Sequence, residues 1–252
     1  MSQTEYQQIS NNNLNRTAEY ELFKHLKSVL FNGEERQWRY RRRLLLSLYS
    51  VTNASAQMAI FNREAQRMVD FLRPDPSDSE RLVNDVCLSA LQCAVRIIFR
   101  SAFGIHLSDL DQLQTFLHNA DQFIRGVMVS SLFGSERVFF QTPAGRVFRR
   151  AINEINLFAG QTFEQKLNEF EVERDQLSLL EYLEEKNSSV ILEQILRIHL
   201  KQQKQLEESP GSISTDELLT LDQVIGETLV FVFGGIDTAT TALCFTLYLL
   251  GR

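Results

Sequence analysis

Residues 229–250 read LVFVFGGIDTATTALCFTLYLL, and this stretch predicts one long apolar helix. The helix is expected to run from Thr220 to Leu250, because Thr220 and Gln223 fit a capping box at its start. The stretch is long enough to cross a bilayer. However, Asp237 lies near its middle, and a carboxylate at the bilayer centre costs about 2.5–3.5 kcal/mol. A helix buried inside a large protein is therefore favoured, and a membrane-spanning helix is the alternative.

The middle of this helix carries an unusual pair of glycines, Gly234 and Gly235. Each glycine costs about 0.8–1.0 kcal/mol relative to Ala inside a helix, and two together favour a distortion. The cost is understandable if another group must lie close against the backbone. Asp237 and Thr238 follow directly, and a carboxylate beside a hydroxyl can accept, donate and relay protons. The pattern indicates a site where a close-packed group meets a proton relay.

A basic segment, RQWRYRRR at residues 36–43, holds the only Trp and five arginines. The simplest interpretation is a solvated basic face, or a patch for acidic lipid or nucleic acid. Trp38 and Arg42 are four residues apart and share one helix face. Arg42 could hold a carboxylate there while Trp38 packs beside it and donates its indole N–H. The residues alone leave both interpretations open.

Composition is that of a soluble globular protein made mainly of helices. Of the 252 residues, 44% are hydrophobic and 23% are charged, which are ordinary values. Eighteen Phe with only eleven Gly and four Pro favour helices over turn-rich sheets. The net charge of −6 gives no general signature of nucleic-acid binding.

The pattern along the chain predicts a mainly α protein with no convincing strand. Residues 1–18 are polar and are expected to be a flexible leader, and residues 19–252 to form one domain. Loops are predicted at residues 133–143 and 207–214, and Ser214 with Glu217 offers a second capping box. Before the long helix, the expected helices cover Glu34–Leu72, Glu80–Phe103 with Gly104 as its C-terminal cap, Asp109–Val129, Ala144–Glu173, Leu177–Glu184 and Val190–Leu206.

The cysteines and histidines predict no metal site. Cys87, Cys93 and Cys244 are odd in number and lack CxxC spacing, which argues against disulfides and zinc. They are expected to be buried thiols that act as small hydrophobes. The four histidines show no metal-ligand spacing.

The segment Gly234–Thr238 resembles the (Ala/Gly)-Gly-x-(Asp/Glu)-Thr motif in the long central helix of cytochromes P450. The resemblance implies that the glycines leave a groove beside a haem, where dioxygen binds. Thr238 would then stabilise the bound oxygen, and Asp237 would feed protons toward it. Many members have Thr or Ser directly after the first Thr, whereas this chain has Ala239.

Two further segments resemble the same family, in the same order along the chain. Trp38-x-x-x-Arg42 resembles a helix whose Trp and Arg contact the haem propionates. The sequence RSAFG at residues 100–104 resembles the end of a helix that packs near the haem. Together the three matches imply a partial cytochrome P450 fold, with several helices around one long central helix.

Two family hallmarks find no counterpart in the expected places. Glu64 with Arg67, and Glu171 with Arg174, have Glu-x-x-Arg spacing, but both pairs precede Gly234 and are interpreted as chance or surface pairs. None of the cysteines stands in surroundings like the family's Phe-x-x-Gly-x-x-x-Cys-x-Gly loop. The axial thiolate is therefore not expected from this chain, which we expect to be inactive alone. One face of its long helix should form an exposed apolar patch.

The function that the resemblance implies is that of a haem-dependent monooxygenase. Such an enzyme inserts one oxygen atom of O2 into a small apolar organic substrate, using haem (iron protoporphyrin). Its electrons come ultimately from NADPH through a flavoprotein reductase or a ferredoxin. The implied location is the endoplasmic reticulum membrane, reached through an N-terminal anchor that these residues lack, or alternatively the mitochondrion. The competing hypotheses are a non-catalytic helical interaction module and a membrane-spanning protein.

Overall fold

The computed structural model describes residues 22–28, 35–73, 86–106, 110–133, 135–173, 177–214 and 217–251. The predicted leader at residues 1–18 lies outside these ranges. Within them the chain forms helices and no strand, which confirms the mainly α prediction. Short 3₁₀ helices lie at Leu22–Leu26, Leu46–Tyr49 and Ser131–Phe133. The α-helices are α1 (Glu35–Leu45), α2 (Val51–Ala56), α3 (Met58–Leu72), α4 (Val86–Phe103), α5 (Leu110–Ser130), α6 (Glu136–Phe139), α7 (Pro143–Glu173), α8 (Leu179–Lys186), α9 (Ile191–Glu208) and α10 (Leu221–Leu250).

Helix α10 is the long helix that the sequence predicts, and its start is fixed by the Thr220–Gln223 capping box. The Gln223 amide donates to Thr220 Oγ1 at 3.2 Å, and the Thr220 amide donates to Gln223 Oε1 at 3.0 Å. The helix continues without interruption through Gly234 and Gly235, so the expected distortion is absent there. It packs along α4 and α9, and several residues of its first half are buried. That burial agrees with a helix inside a protein core.

An aromatic cluster joins α4, α5, α7 and α10. Phe233 of α10 lies 5.1 Å from Phe123 and 6.2 Å from Phe116, both on α5, measured between ring centroids. Phe99 of α4 meets Phe116 edge to face at 4.8 Å. Such aromatic pairs add about 0.5–1.5 kcal/mol each beyond their area burial. The cluster also includes Phe103, Phe148 and Phe158.

The largest differences from the prediction lie in one helix and one loop. The expected helix from Glu34 to Leu72 is divided into α1, a 3₁₀ segment, α2 and α3. Ser50 causes the main break, because its backbone is extended and its hydroxyl accepts the Asn53 amide at 3.2 Å. The expected loop at residues 133–143 contains the short helix α6. By contrast, α4 ends at Phe103 before Gly104, whose φ of +70° is the expected left-handed cap.

Within the described residues, α4 and α10 are long and apolar enough to cross a membrane by length and composition alone. Core helices of soluble proteins pass the same test, and α4 has many buried residues. The first half of α10 is covered by protein on one side, where Val224, Leu229 and Val232 are fully buried. The last turns are different: Phe245 is 64% exposed and Leu250 is 79% exposed. This apolar surface is the exposed patch that we expect on the long helix.

Candidate functional site

One face of α10 is open to solvent and carries the motif residues. Gly234, Thr238, Thr241 and Phe245 follow at intervals of three or four residues, so they lie in one line along the helix. All four are exposed, and Asp237 beside them is exposed as well. The predicted proton-relay residues and the exposed apolar end therefore share one continuous surface.

Gly234 and Gly235 lie on different faces of α10. A Cβ placed on Gly234 would meet no atom within 4 Å, whereas one placed on Gly235 would overlap the side chain of Ile98 on α4. Gly235 is therefore needed for the packing of α10 against α4. The open space beside the backbone, into which a flat group could fit, lies at Gly234.

The hydroxyl of Thr238 donates a hydrogen bond to the backbone of its own helix. Its Oγ1 donates to the Gly234 carbonyl oxygen at 2.8 Å. Thr228, Thr240 and Thr246 make the same bond four residues back, so this contact is the usual behaviour of threonine in this helix and does not by itself indicate catalysis. What distinguishes Thr238 is its place beside the open backbone of Gly234. With its proton engaged, the Thr238 oxygen is left as an acceptor toward that open side.

Asp237 makes no hydrogen bond or ion pair with any residue in the described ranges. Its carboxylate is exposed and therefore accessible to water. Asp237 and Thr238 are consecutive residues, and both are exposed on α10. The role of these two residues stays a prediction.

Contacts on the buried side of α10 determine the orientation of the exposed face that carries Gly234 and Thr238. Ile236 is only 8% exposed, and Phe233 is held in the aromatic cluster by Phe123. Phe231 contacts Tyr49, with ring centroids 5.8 Å apart. Tyr49 closes the 3₁₀ segment that follows α1. The motif is therefore anchored to the core on one side and to the 3₁₀ segment that follows α1 on the other.

The basic helix α1 presents Trp38 and Arg42 together. The guanidinium carbon of Arg42 lies 5.3 Å from the centroid of the Trp38 ring, which confirms that the two side chains share a face. Arg42 is exposed and has no carboxylate partner within the described ranges. No hydrogen bond or ion pair joins this pair to Asp237 or Thr238 in that part of the chain. The pair fits a planar group that carries a free carboxylate, as a haem does.

The described cysteines do not supply an evident axial ligand. Cys93 is buried, and burial, together with nearby Glu64, raises the pKa of its thiol. Cys244 lies ten residues beyond Gly234, which is about 15 Å along the helix axis. Cys87 is exposed and Cys244 is only half-buried, so the expectation that all three thiols are buried is confirmed for Cys93 alone. No group of three His, Cys, Asp or Glu side chains that could hold a metal ion occurs within the described ranges. The exposed Arg42 and the open side of Gly234 are each chemically suited to contact a haem, whereas the described cysteines offer its iron no evident ligand.

Sequence reasoning missed a buried ion cluster at Glu64. Its carboxylate is fully buried and accepts from Arg67 Nη1 at 3.0 Å and from Arg100 Nη1 at 3.1 Å. The interpretation of Glu64 and Arg67 as a chance or surface pair is therefore wrong, although Arg67 itself is 44% exposed. The second pair of that spacing includes Arg174, which lies outside the described ranges. Ile60, Phe61 and Met68 share the helix face of Glu64, and this apolar face is the sequence signal that could have indicated its burial.

The cytochrome P450 family model matches residues 3–252 of the chain. A solved structure described as zebra fish cytochrome P450 with progesterone superimposes with a TM-score of 0.64 at 16% sequence identity. The match covers 94% of this chain and 50% of the zebra fish chain, so this chain spans about half the length of that protein. A search of curated proteins found no significant match. The family match over almost all residues, together with the similar helical fold, shows that the chain belongs to the cytochrome P450 family.

Proposed function

We propose that this chain is part of a haem-dependent monooxygenase that inserts one oxygen atom of O2 into a small apolar organic substrate. The observation that carries the proposal is the open face of α10, where the uncovered backbone at Gly234 lies beside Asp237 and Thr238. When bound, haem would supply the oxygen-activating chemistry. By family resemblance, electrons come ultimately from NADPH through a flavoprotein reductase or a ferredoxin. The same resemblance suggests the endoplasmic reticulum membrane, or alternatively the mitochondrion.

Each named residue has a distinct task in this proposal. Gly234 admits the flat face of the haem, because no side chain occupies the space beside its backbone. Arg42 pairs with a haem carboxylate while Trp38 packs beside the guanidinium. Thr238 accepts a hydrogen bond at Oγ1, since its own proton is held by the Gly234 carbonyl. Asp237 exchanges protons with water at the same exposed side of the helix.

We further propose that these 252 residues alone are inactive. A thiolate ligand is what favours O–O cleavage in this chemistry. Cys93 is buried with a raised pKa, which disfavours its thiolate. Cys244 lies well beyond the open backbone of Gly234, and neither it nor Cys87 has the sequence surroundings of the family's cysteine loop.

An interaction module is the second candidate, because the last turns of α10 expose Phe245, Leu249 and Leu250. An apolar surface of this kind binds another protein as readily as it completes an enzyme. The two candidates differ in whether haem is needed.

The test is spectroscopic. The purified chain is mixed with haem, reduced and exposed to carbon monoxide, and no thiolate-type spectrum is expected. The same treatment of a longer protein that contains this segment and a family cysteine loop should give that spectrum and support oxygenation of an apolar substrate. A thiolate spectrum from this chain would overturn the inactivity proposal. Its absence from the longer protein would overturn the monooxygenase proposal and leave the interaction module.

A further inference from the structure

The first turns of α10 are held closely against the segment at residues 22–28. A Cβ on Gly226 would overlap the carbonyl oxygen of Leu26, so the two backbones are in direct contact. Ser28 donates its hydroxyl to Glu227 Oε2 at 2.7 Å in a buried position. An exposed ion pair between Lys27 and Asp222, at 2.9 Å, lies at the edge of the same junction.

Arg41 of α1 inserts into this junction and binds the start of α10. Its side chain is buried, and Nη2 donates both to the Leu218 carbonyl oxygen and to Gln223 Oε1, the latter at 3.1 Å. Gln223 Oε1 also accepts from the Thr220 amide and so belongs to the capping box. Arg41 is thereby fastened to the residues that define where α10 begins.

Burying the positive charge of Arg41 at this position costs free energy. Burial lowers the pKa of Arg41, whereas the negative charge of Glu227 opposes that shift. Nε and Nη1 of Arg41 are buried without a hydrogen-bond partner within the described residues. An apolar side chain of similar size would avoid the desolvation of a guanidinium. Arg39, Arg42 and Arg43 on the same helix are all exposed, so a position in the basic segment is not enough to bury an arginine.

The benefit of this arrangement is a fixed orientation of α1. Successive helix residues are separated by about 100°, so clamping Arg41 also fixes the directions of Trp38 and Arg42 on the same helix. Helix α10 carries Asp237 and Thr238 more than ten residues beyond the clamp. This junction thus links the two helices that carry the candidate site residues, and no hydrogen bond or ion pair joins those residues directly within the described part of the chain.

We propose that Arg41 is a positioning residue that holds α1, with Trp38 and Arg42, in one orientation relative to α10. Its relevance to the reaction rests on the proposed haem-dependent function. The geometric part does not, because it concerns two helices of this chain and can be measured without haem.

The geometric test measures the distance between α1 and α10 by pulsed electron spin resonance. Spin labels are placed on cysteines at two exposed positions, Arg43→Cys and Thr241→Cys, after the natural cysteines are replaced. Arg41→Met should broaden or shift the distance distribution, while Lys27→Met, which removes only the exposed pair of the same junction, should leave it unchanged. Arg41→Lys keeps the charge but reaches fewer acceptors, so it should give a smaller change in the same direction. A wild-type distribution in Arg41→Met or in Arg41→Lys overturns the proposal, and the lysine variant decides if the methionine variant does not fold.

The functional test follows haem loss in a longer, haem-containing protein that includes this segment. Transfer of haem to an acceptor protein should be about 10-fold to 100-fold faster in Arg41→Met than in the wild type. Lys27→Met should match the wild type. Equal rates in the two variants would overturn the positioning role in the reaction. If the longer wild-type protein binds no haem, the proposed function fails instead, while a changed spin-label distance still supports the positioning of the two helices.

Discussion

The backbone of Gly235 lies directly against the side chain of Ile98, so that a Cβ on Gly235 would overlap Ile98 Cδ1 and come within 3.1 Å of Cγ1. The preceding Gly234 faces open space instead. One glycine allows α10 to approach α4, and the other keeps the backbone uncovered next to Asp237 and Thr238. The two-residue motif thus combines a packing contact with an open surface.

Alanine substitution should separate the two glycines. Both Gly234→Ala and Gly235→Ala gain about 0.8–1.0 kcal/mol of helix propensity. Only Gly235→Ala also overpacks the contact with Ile98, which costs about 1–3 kcal/mol. Urea unfolding should therefore show Gly234→Ala to be the more stable variant by about 1–3 kcal/mol. Ile98→Val removes Cδ1 and should recover part of the loss when combined with Gly235→Ala. Equal stabilities of the two single variants would contradict the contact.

Features that depend on residues close together in the sequence were predictable, whereas features that depend on distant residues were not. The start of α10 was predictable because Thr220 and Gln223 form a capping box three residues apart. The break at Ser50 was not, because nothing like Gly or Pro marks it and a serine is also tolerated within a helix. The burial of Arg41 depends on Gln223, which is 182 residues away in the chain. Periodicity within α1 cannot reveal a partner at that separation. The residues Gly234–Thr238 were identified from their sequence motif. Their exposure, by contrast, depends on how α10 packs against the other helices.

The buried carboxylate of Glu64 should be important for stability. Glu64→Gln leaves Arg100, whose side chain is only 18% exposed, without its counter-charge. Breaking such a buried pair costs about 3–5 kcal/mol. Arg67→Ala removes a partner that is 44% exposed and should cost about 0.2–1 kcal/mol. Urea denaturation of both variants measures the two effects, and a small equal loss in each would show that the cluster is not a buried ion pair in solution.

Acid should weaken the contact between residues 22–28 and α6. Partial burial alone would raise the pKa of Glu136, but hydrogen bonds and charges from Lys24 and His25 outweigh it and lower the pKa below its ordinary value. A carboxyl with a lowered pKa stabilises the fold above its unfolded-state pKa, and this contribution is lost as the pH falls through the folded-state pKa. Glu136→Gln should therefore reduce the fall in unfolding free energy between about pH 5 and pH 3. Glu154→Gln, at an exposed glutamate on α7 with no partner in the described ranges, serves as the control. Parallel pH profiles for wild type and Glu136→Gln would contradict the linkage.

Arg42 should contribute to haem retention in a longer, haem-containing protein with this segment. Arg42→Ala removes a charged donor, and a hydrogen bond of this kind is worth about 1.5–3 kcal/mol. Haem affinity should then fall about 10-fold to 100-fold, as measured by transfer to an acceptor protein. The neighbouring exposed arginine gives a matched control in Arg43→Ala, which should retain haem like the wild type. Equal losses in the two variants would indicate a general charge effect in place of a specific contact.

Thr238 should determine how efficiently such a protein uses its electrons. Thr238→Ala removes the Oγ1 acceptor beside Gly234 but no proposed haem contact, so haem and substrate binding should be nearly unchanged. Without that acceptor, protons are delivered poorly, and the ratio of product formed to reductant consumed should fall while peroxide is released. Asp237→Asn should mainly slow turnover, because the amide keeps the shape but loses the titratable group.

The matched control for Thr238 is Thr246→Ala. Thr246 makes the same bond to the carbonyl four residues back, at 2.7 Å, and is also exposed, but it lies two turns further along α10. Because the two substitutions remove identical helix contacts, any difference between them reports the position next to Gly234 and not the loss of a threonine. An unchanged product-to-reductant ratio in Thr238→Ala, with full activity, would remove this hydroxyl from the mechanism and leave only the packing role of Gly235 against Ile98.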